Sequence, residues 1–494
     1  MQKNGFDNAE YIKLQSQKIR DRIDRFGDKL YLEFGGKLFD DFHAARVLPG
    51  FQPDAKVKML LELKDDAEIV IVINADAIEK NKRRGDLGIT YDLETLRLID
   101  AFRQIGLFVG SVVITCYAGQ HSAEAFQKRL EALGIKVYRH YSIPDYPSNI
   151  PFIVSENGFG KNDYIETTRR LVVVTAPGPG SGKMATCLSQ LYHENKRGIK
   201  AGYAKFETFP VWNLPLKHPV NVAYEAATAD LNDVNMIDPL HLEAYNEKAV
   251  NYNRDIEIFP VLNSILKSIM GQSPYNSPTD MGVNMAGFAI YDDEVVSNAA
   301  KQEIIRRYYS ALVATRQGMG DASTVTKIEF LMQQVGVSVN DRKVVAAALK
   351  KAEETNAPAV ALELPNGKVV TGKTSSLLGA SSALLLNALK ELGKIPDSID
   401  LISSTIIEPV QWLKTEVMGN HNPRLHTDEV LEALSICAVT SDVAKIALSQ
   451  ASRLKGCEAH SSVILSRVDE EVFRKLGINI TFEPKYQTKK LYHN

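Results

Sequence analysis

The sequence predicts an α/β protein in three parts. A mostly parallel, three-layer sheet domain spans residues 1–225, a mainly helical domain 226–355, and an α+β domain 356–494. Three observations carry this. Between residues 67 and 209, short apolar runs alternate with segments of helical spacing, the pattern of strands buried on both faces and joined by crossover helices. From about 256 to 355 helical patterns stand almost alone. After 356 strand and turn signals return.

The elements follow in order. Residues 8–27 read as a charged amphipathic helix. LYLEF-GG-KLFDDF (30–42) reads as two short strands around a Gly-Gly turn. AEIVIVINADAI (67–78), LFVGSVVITCYA (107–118), IKVYRHY (135–141), RLVVVTA (170–176) and IKAGYAKFETF (199–209) read as strands. Between them, 91–106, 122–134 and 182–198 place apolar side chains at helical intervals. The stretch 210–255 carries Pro210, Pro215, Pro219 and Pro239 among Asn, Asp, His and Tyr, the composition of a long structured loop. In the last part PAVALEL-PNG-KVVTG is a hairpin around Asn-Gly. A helix at 381–393, a strand DLISSTII (400–407), helices near 427–439 and 441–455, and strands HSSVILS and INITFE complete it.

Composition narrows the function classes. The chain of 494 residues exceeds one ordinary core. Lys plus Arg (58) nearly balances Asp plus Glu (60), which argues against broad nucleic-acid binding. The four cysteines, Cys116, Cys187, Cys437 and Cys457, form no CxxC pair, which suits a reducing compartment. No apolar run reaches the ~18 residues of a membrane span, and the first residues lack a signal core. The expectation is a cytoplasmic protein with a small-molecule substrate, no nucleic acid and no membrane; homo-oligomer formation is left open.

VVVTAPGPGSGKMATCLSQL, from Val172, carries the sharpest signal. A strand runs into a Gly/Pro/Ser loop, a lysine and a helix. Glycines let backbone N–H groups approach phosphate oxygens, and the helix N-terminus adds its dipole. Gly178, Gly180, Ser181, Gly182 and Lys183 fit that plan, with Lys183 neutralising phosphate charge. The full pattern is GxxxxGK[ST]. Here Pro177 stands at the first glycine and Met184 at the hydroxyl that ordinarily holds magnesium, so magnesium is doubtful. The alternative is a plain strand-to-helix turn.

Three other groups draw notice. Asp76 follows a buried strand, and Lys80, Lys82, Arg83, Arg84 and Asp86 come directly after it; arginines there could clamp an anion bidentately. They share a pocket with Lys183 only if their strands are neighbours. Lys205, Glu207, His218, Glu225, Asp230, Asp238, His241 and Arg254 supply acid–base candidates, with His218 and Glu225 foremost. His421, His426, Cys457 and His460 invite a zinc reading, but the HxE and PCxxC pairs of a deaminase-type centre are absent, and no metal is expected.

GPGSGKMATCLSQ, KRRGDLGITYD and GCEAHSSVILSRVDEEVFRKLGI together resemble, along the whole chain, an uncharacterised bacterial family known as a domain of unknown function. The resemblance implies several domains, among them a three-layer α/β part and a helical part, and supplies no reaction. From the residues, the leading expectation is an enzyme binding ATP or another phosphorylated ligand at 178–183, a transferase or hydrolase of phosphate-loop type. Phosphoryl or nucleotidyl transfer to a small metabolite would rest on Lys183 and the arginines, and a metal, if present, would need Asp76 or another carboxylate. The rival is a non-catalytic nucleotide or metabolite sensor or assembly protein.

Overall fold

A computed structural model describes residues 3–36, 38–39, 41–84 and 88–487. Seven strands form one sheet: β1 Lys29–Phe34, β2 Ala67–Asn74, β3 Phe108–Tyr117, β4 Lys136–Tyr141, β5 Leu171–Thr175, β6 Ala201–Phe206 and β7 Gly282–Val283. Their spatial order is β4-β3-β2-β5-β1-β6-β7, and every pairing is parallel. β1 and β5 are buried at every position; β5 is a nearly continuous apolar run, and β1 carries the charged Lys29 and Glu33 within it.

Helices cover both faces. Helix α1 (Asn8–Phe26) starts at Asp7, whose carboxylate accepts from the N–H groups of Ala9 and Glu10, and stops at Gly27 with φ 87°. It buries Tyr11, Ile12, Ile19, Ile23 and Phe26. The Phe26 ring lies where a side chain at residue 202 would stand: a Cβ on Gly202 would fall 2.1 Å from it. Burying that one ring stabilises the fold by about 1.5–3 kcal/mol. The other face carries helix α3 (Lys183–Lys196), while α2 (Tyr91–Gln104) packs on β2 and β3. Lys29 Nζ and Tyr31 Oη of β1 both donate to Glu194 Oε1 of α3, at 2.7 Å each.

The chain divides into two compact units. One comprises Asn4–Glu225 with Asn232–Ala300, and the other Met1–Lys3, Ala226–Leu231 and Lys301–Asn494. Residues 226–355, expected as a helical domain, are thus distributed between both. They do contain long helices, among them α4 (Asn253–Met270) and α5 (Lys343–Thr355). The second unit holds a four-stranded sheet: β8 Ala359–Glu363, β9 Val369–Lys373, β10 Glu458–Ser461 and β11 Asn479–Phe482, in the order β9-β8-β10-β11. Val360 and Leu362 face helix α6 (Ala380–Gly393), while Ala361 faces Val344 and Ala348 of α5. No described helix is long and apolar enough to cross a membrane.

Three elements differ from the sequence expectation. The expected hairpin at 30–42 contributes a single strand, β1, that ends at Phe34: both edges of β1 are taken by β5 and β6, and Phe42 opens a short helix capped by Asp41. Lys37 and Asp40 of that segment lie outside the described residues. DLISSTII is not a strand. Ser403 accepts from Thr405 N and caps a helix at Ser404–Trp412, so a local side-chain bond outweighs the β-branched composition. HSSVILS pairs only as far as Ser461, and Ser466 caps an additional helix, Arg467–Lys475.

Candidate functional site

The chain order makes a switch point at β5. From β2 the chain runs outward to β3 and β4, and from β5 it crosses the other way to β6. In such sheets the crevice beyond the strand C-termini, where directions diverge, is where ligands lodge. β2 and β5 are neighbours, with Ile71 opposite Thr175. The two loops that the sequence singles out, 74–90 and 176–183, therefore leave adjacent strands on the same edge.

The glycine-rich loop is held by its carbonyls. Thr115 Oγ1 donates to Ser181 O at 2.7 Å, Asn74 Nδ2 to Gly180 O at 3.3 Å, and Ser181 Oγ to Gly178 O at 2.8 Å. Gly180 (φ 76°) and Gly182 (φ 87°) occupy the left-handed region that only glycine enters freely. Gly182 stands at the N-cap of α3, so no side chain caps the helix. Thr186 N is the first to find a carbonyl, that of Gly182. Among the described residues the N–H groups of Lys183, Met184 and Ala185 donate to nothing, and the Lys183 ammonium has no ion-pair partner.

These groups border a cavity of ≈ 340 Å³. One wall is backbone and cation, from Gly180 through Ala185. Apolar lining comes from Ile258, Val261, Leu262 and Ile265 of α4 and from Leu188 of α3. Their spacing along α4 is one helical face. Tyr146 and Pro147 add a third side, and Glu33, at the end of β1, supplies the one carboxylate. Glu33 is 7% exposed, and its Oε2 accepts from Tyr203 Oη at 2.7 Å. Although 37% of the Tyr146 surface is exposed, partial burial and the Glu33 carboxylate push its phenol up to about 12.

A buried charge cluster lies beside Glu33. Lys205, in register with Glu33 on β6, pairs with Glu207 at 2.9 Å and with Asp255 of α4. Burial raises the Glu207 carboxyl to about 7, the Lys205 ammonium opposes this, and the Asp255 carboxylate adds to it. Burial pulls Lys205 down, but the two carboxylates outweigh it and hold the ammonium above its ordinary value.

The remaining candidates stand elsewhere. Gly178 does not line the cavity; it makes room for Tyr91, whose Oη would lie 2.2 Å from a Cβ at 178. Asp76 is exposed and accepts from Gln120 Nε2 at 3.0 Å. Arg83 donates to Gly88 O at 3.0 Å, and Arg84 pairs with buried Glu94. Neither arginine lines the cavity, although both follow the strand next to the loop; Asp86 lies outside the described residues. His218 Nε2 meets Asp293 Oδ1 at 2.9 Å, and Glu225 accepts from Asn235 N at 3.4 Å; neither reaches the cavity. Asp238 caps the helix Pro239–Tyr245, His241 meets Ser277 Oγ at 2.9 Å, and Arg254 pairs with Asp233.

In the second unit His426 meets Asp469 at 3.2 Å and His460 meets Thr481 Oγ1 at 2.8 Å. Among the described residues no group of three or more His, Cys, Asp or Glu is placed to hold a metal.

Sequence reasoning missed Glu33, Tyr146 and the apolar face of α4. A lone glutamate inside the apolar run KLYLEF was the available signal, because a charge in a doubly buried strand needs a reason.

Two family models cover the chain: "Domain of unknown function DUF1846, N-terminal" matches residues 4–336 and "Domain of unknown function DUF1846, C-terminal" residues 340–492. UPF0371 protein SpyM50764 of Streptococcus pyogenes serotype M5 is 59% identical over 487 residues, 99% of either chain. UPF0371 protein SUB1165 of Streptococcus uberis and a UPF0371 protein of Streptococcus pneumoniae are each 58% identical over 492 residues, 100% of either chain. The chain therefore belongs to this bacterial family of unknown function, DUF1846, along its whole length.

Proposed function

We propose that this is a cytoplasmic protein that binds a phosphorylated small molecule in the cavity beside α3. The phosphate would sit on the N–H groups of Lys183, Met184 and Ala185 with the Lys183 ammonium against it, and the rest of the ligand would lie on the apolar face of α4. One observation carries the reading: three unbonded helix-terminal N–H groups and an unpaired lysine border a single cavity. Helix N-termini of this kind favour anions through both their donors and their dipole. The volume suits a ligand of about mononucleotide size.

Magnesium is not needed for this binding. Met184 lines the cavity where a hydroxyl would hold the ion, and its thioether is a poor partner for a hard cation. That favours a singly phosphorylated ligand over a magnesium-bound triphosphate. The chemistry that fits is transfer or hydrolysis of a metabolite held by its phosphate, with Lys183 neutralising charge as it develops. A non-catalytic sensor would make the same contacts, and turnover of a metabolite panel separates the two.

Calorimetry with inorganic phosphate, AMP and sugar phosphates tests the binding. Lys183→Ala is expected to weaken the best of these by about 10–100-fold, the worth of a charge-assisted hydrogen bond of roughly 1.5–3 kcal/mol. Equal affinity of parent and variant for every compound that binds would sink the reading.

A further inference from the structure

Glu33 is unusual among the residues around the cavity. It is 93% buried by its 7% exposure, yet only one of its oxygens has a partner: Tyr203 Oη donates to Oε2, and Oε1 accepts from nothing among the described residues. Oε1 is not sealed from solvent, and Glu33 lines the cavity. Buried carboxylates normally satisfy both oxygens.

The neighbouring charges do not relieve it. Lys205, in register beside Glu33, spends its ammonium on Glu207 and Asp255. Lys183, the other ammonium bordering the cavity, makes no ion pair with Glu33 among the described residues. A buried carboxylate oxygen that lacks a partner and opens on the cavity calls for a cationic donor to complete it. The unpaired Lys183 and the three free N–H groups call for an anion.

We infer that the ligand of this cavity is a phosphorylated amine, its protonated amine held by Glu33 and its apolar middle lying on Ile258, Val261 and Leu262. This rests on the phosphate reading above and adds the group at the ligand's other end. Glu33 would bind and orient the amine; it need take no part in bond making.

Matched ligands test it without knowledge of the natural one. A series from aminoethyl to aminohexyl phosphate is titrated by calorimetry against the same alkyl phosphates lacking the amine, on the full chain. The series acts as a ruler between the loop and Glu33. At the matching length the amine is expected to improve affinity by about tenfold or more. Glu33→Gln should erase that preference, so that amine and alkyl phosphates of matching length bind the variant equally, and Lys183→Ala should weaken both ligands together. Unfolding temperatures of the variants within a few degrees of the parent show that they fold; should Glu33→Gln not fold, Glu33→Asp takes its place and should move the preference to a longer aminoalkyl phosphate, an unmoved preference overturning the inference. Equal binding of amine and alkyl series overturns the inference and spares the phosphate reading. Binding of neither overturns both. An amine preference that survives Glu33→Gln also overturns the inference.

Discussion

The Glu207 carboxyl makes stability depend on pH in a direction opposite to that of most acidic groups. Burial raises it from 4.5 to about 7, and the nearby Asp255 carboxylate adds to the effect. Between those values the folded chain keeps a proton that the unfolded chain has released. Stability from this group is therefore full below pH 4.5, falls as pH rises toward 7, and is flat above. Each pH unit crossed costs about 1.4 kcal/mol, so the whole window costs roughly 3 kcal/mol. Glu207→Gln supplies a neutral group of the same shape and should remove the fall. The chain has two tryptophans, so a Trp412→Phe background leaves Trp212, in the first unit, as the probe. Urea unfolding followed at Trp212 at pH 5 and pH 8 measures the difference, and reporting from one unit avoids treating both as a single transition. Parent and Glu207→Gln proteins with the same pH dependence would refute the placement of the proton.

Other outcomes follow from single contacts. Gly178→Ala should destabilise the first unit by about 1–3 kcal/mol, because its methyl meets Tyr91 Oη; thermal unfolding should show much of the loss recovered in the Gly178→Ala, Tyr91→Ala double variant. Arg342, buried in the second unit, donates to Ala459 O and Asn479 O at 2.8 Å each and pairs with Glu458. Arg342→Met should cost roughly 3–5 kcal/mol, read as faster amide exchange in β10 and β11. Asp76→Asn and EDTA should each leave phosphate-ligand affinity unchanged in calorimetry, since Asp76 lies outside the cavity; loss of binding with either would mean a metal is required.

The sheet was legible because its strands are apolar on both faces and its helices carry one apolar stripe. β5 and α3 fall where the alternation puts them. The failures are local contests. At 400–407 the β-branched residues suggest a strand, and the Ser403 cap decides for a helix. For the site, the loop's own residues were legible, and Gly180 to Lys183 do border the cavity. Its partners were not. Residue 33 and residues 258–265 meet the loop only through the order of strands and the seating of α4, long-range facts with no local pattern. Arg84 shows the converse: a basic residue at a strand end looks available, yet a buried glutamate ten residues on already holds it.

The central claim is that the free N–H groups at the start of α3 receive a phosphate. A crystal structure of the chain with AMP bound, and a second with inorganic phosphate, tests it directly. The phosphorus should lie within hydrogen-bond reach of the Lys183, Met184 and Ala185 nitrogens, with Lys183 Nζ on a phosphate oxygen and no metal ion between. Phosphate seated instead on the Arg83–Arg84 loop, or bridged to the protein by magnesium at Thr186, would contradict it.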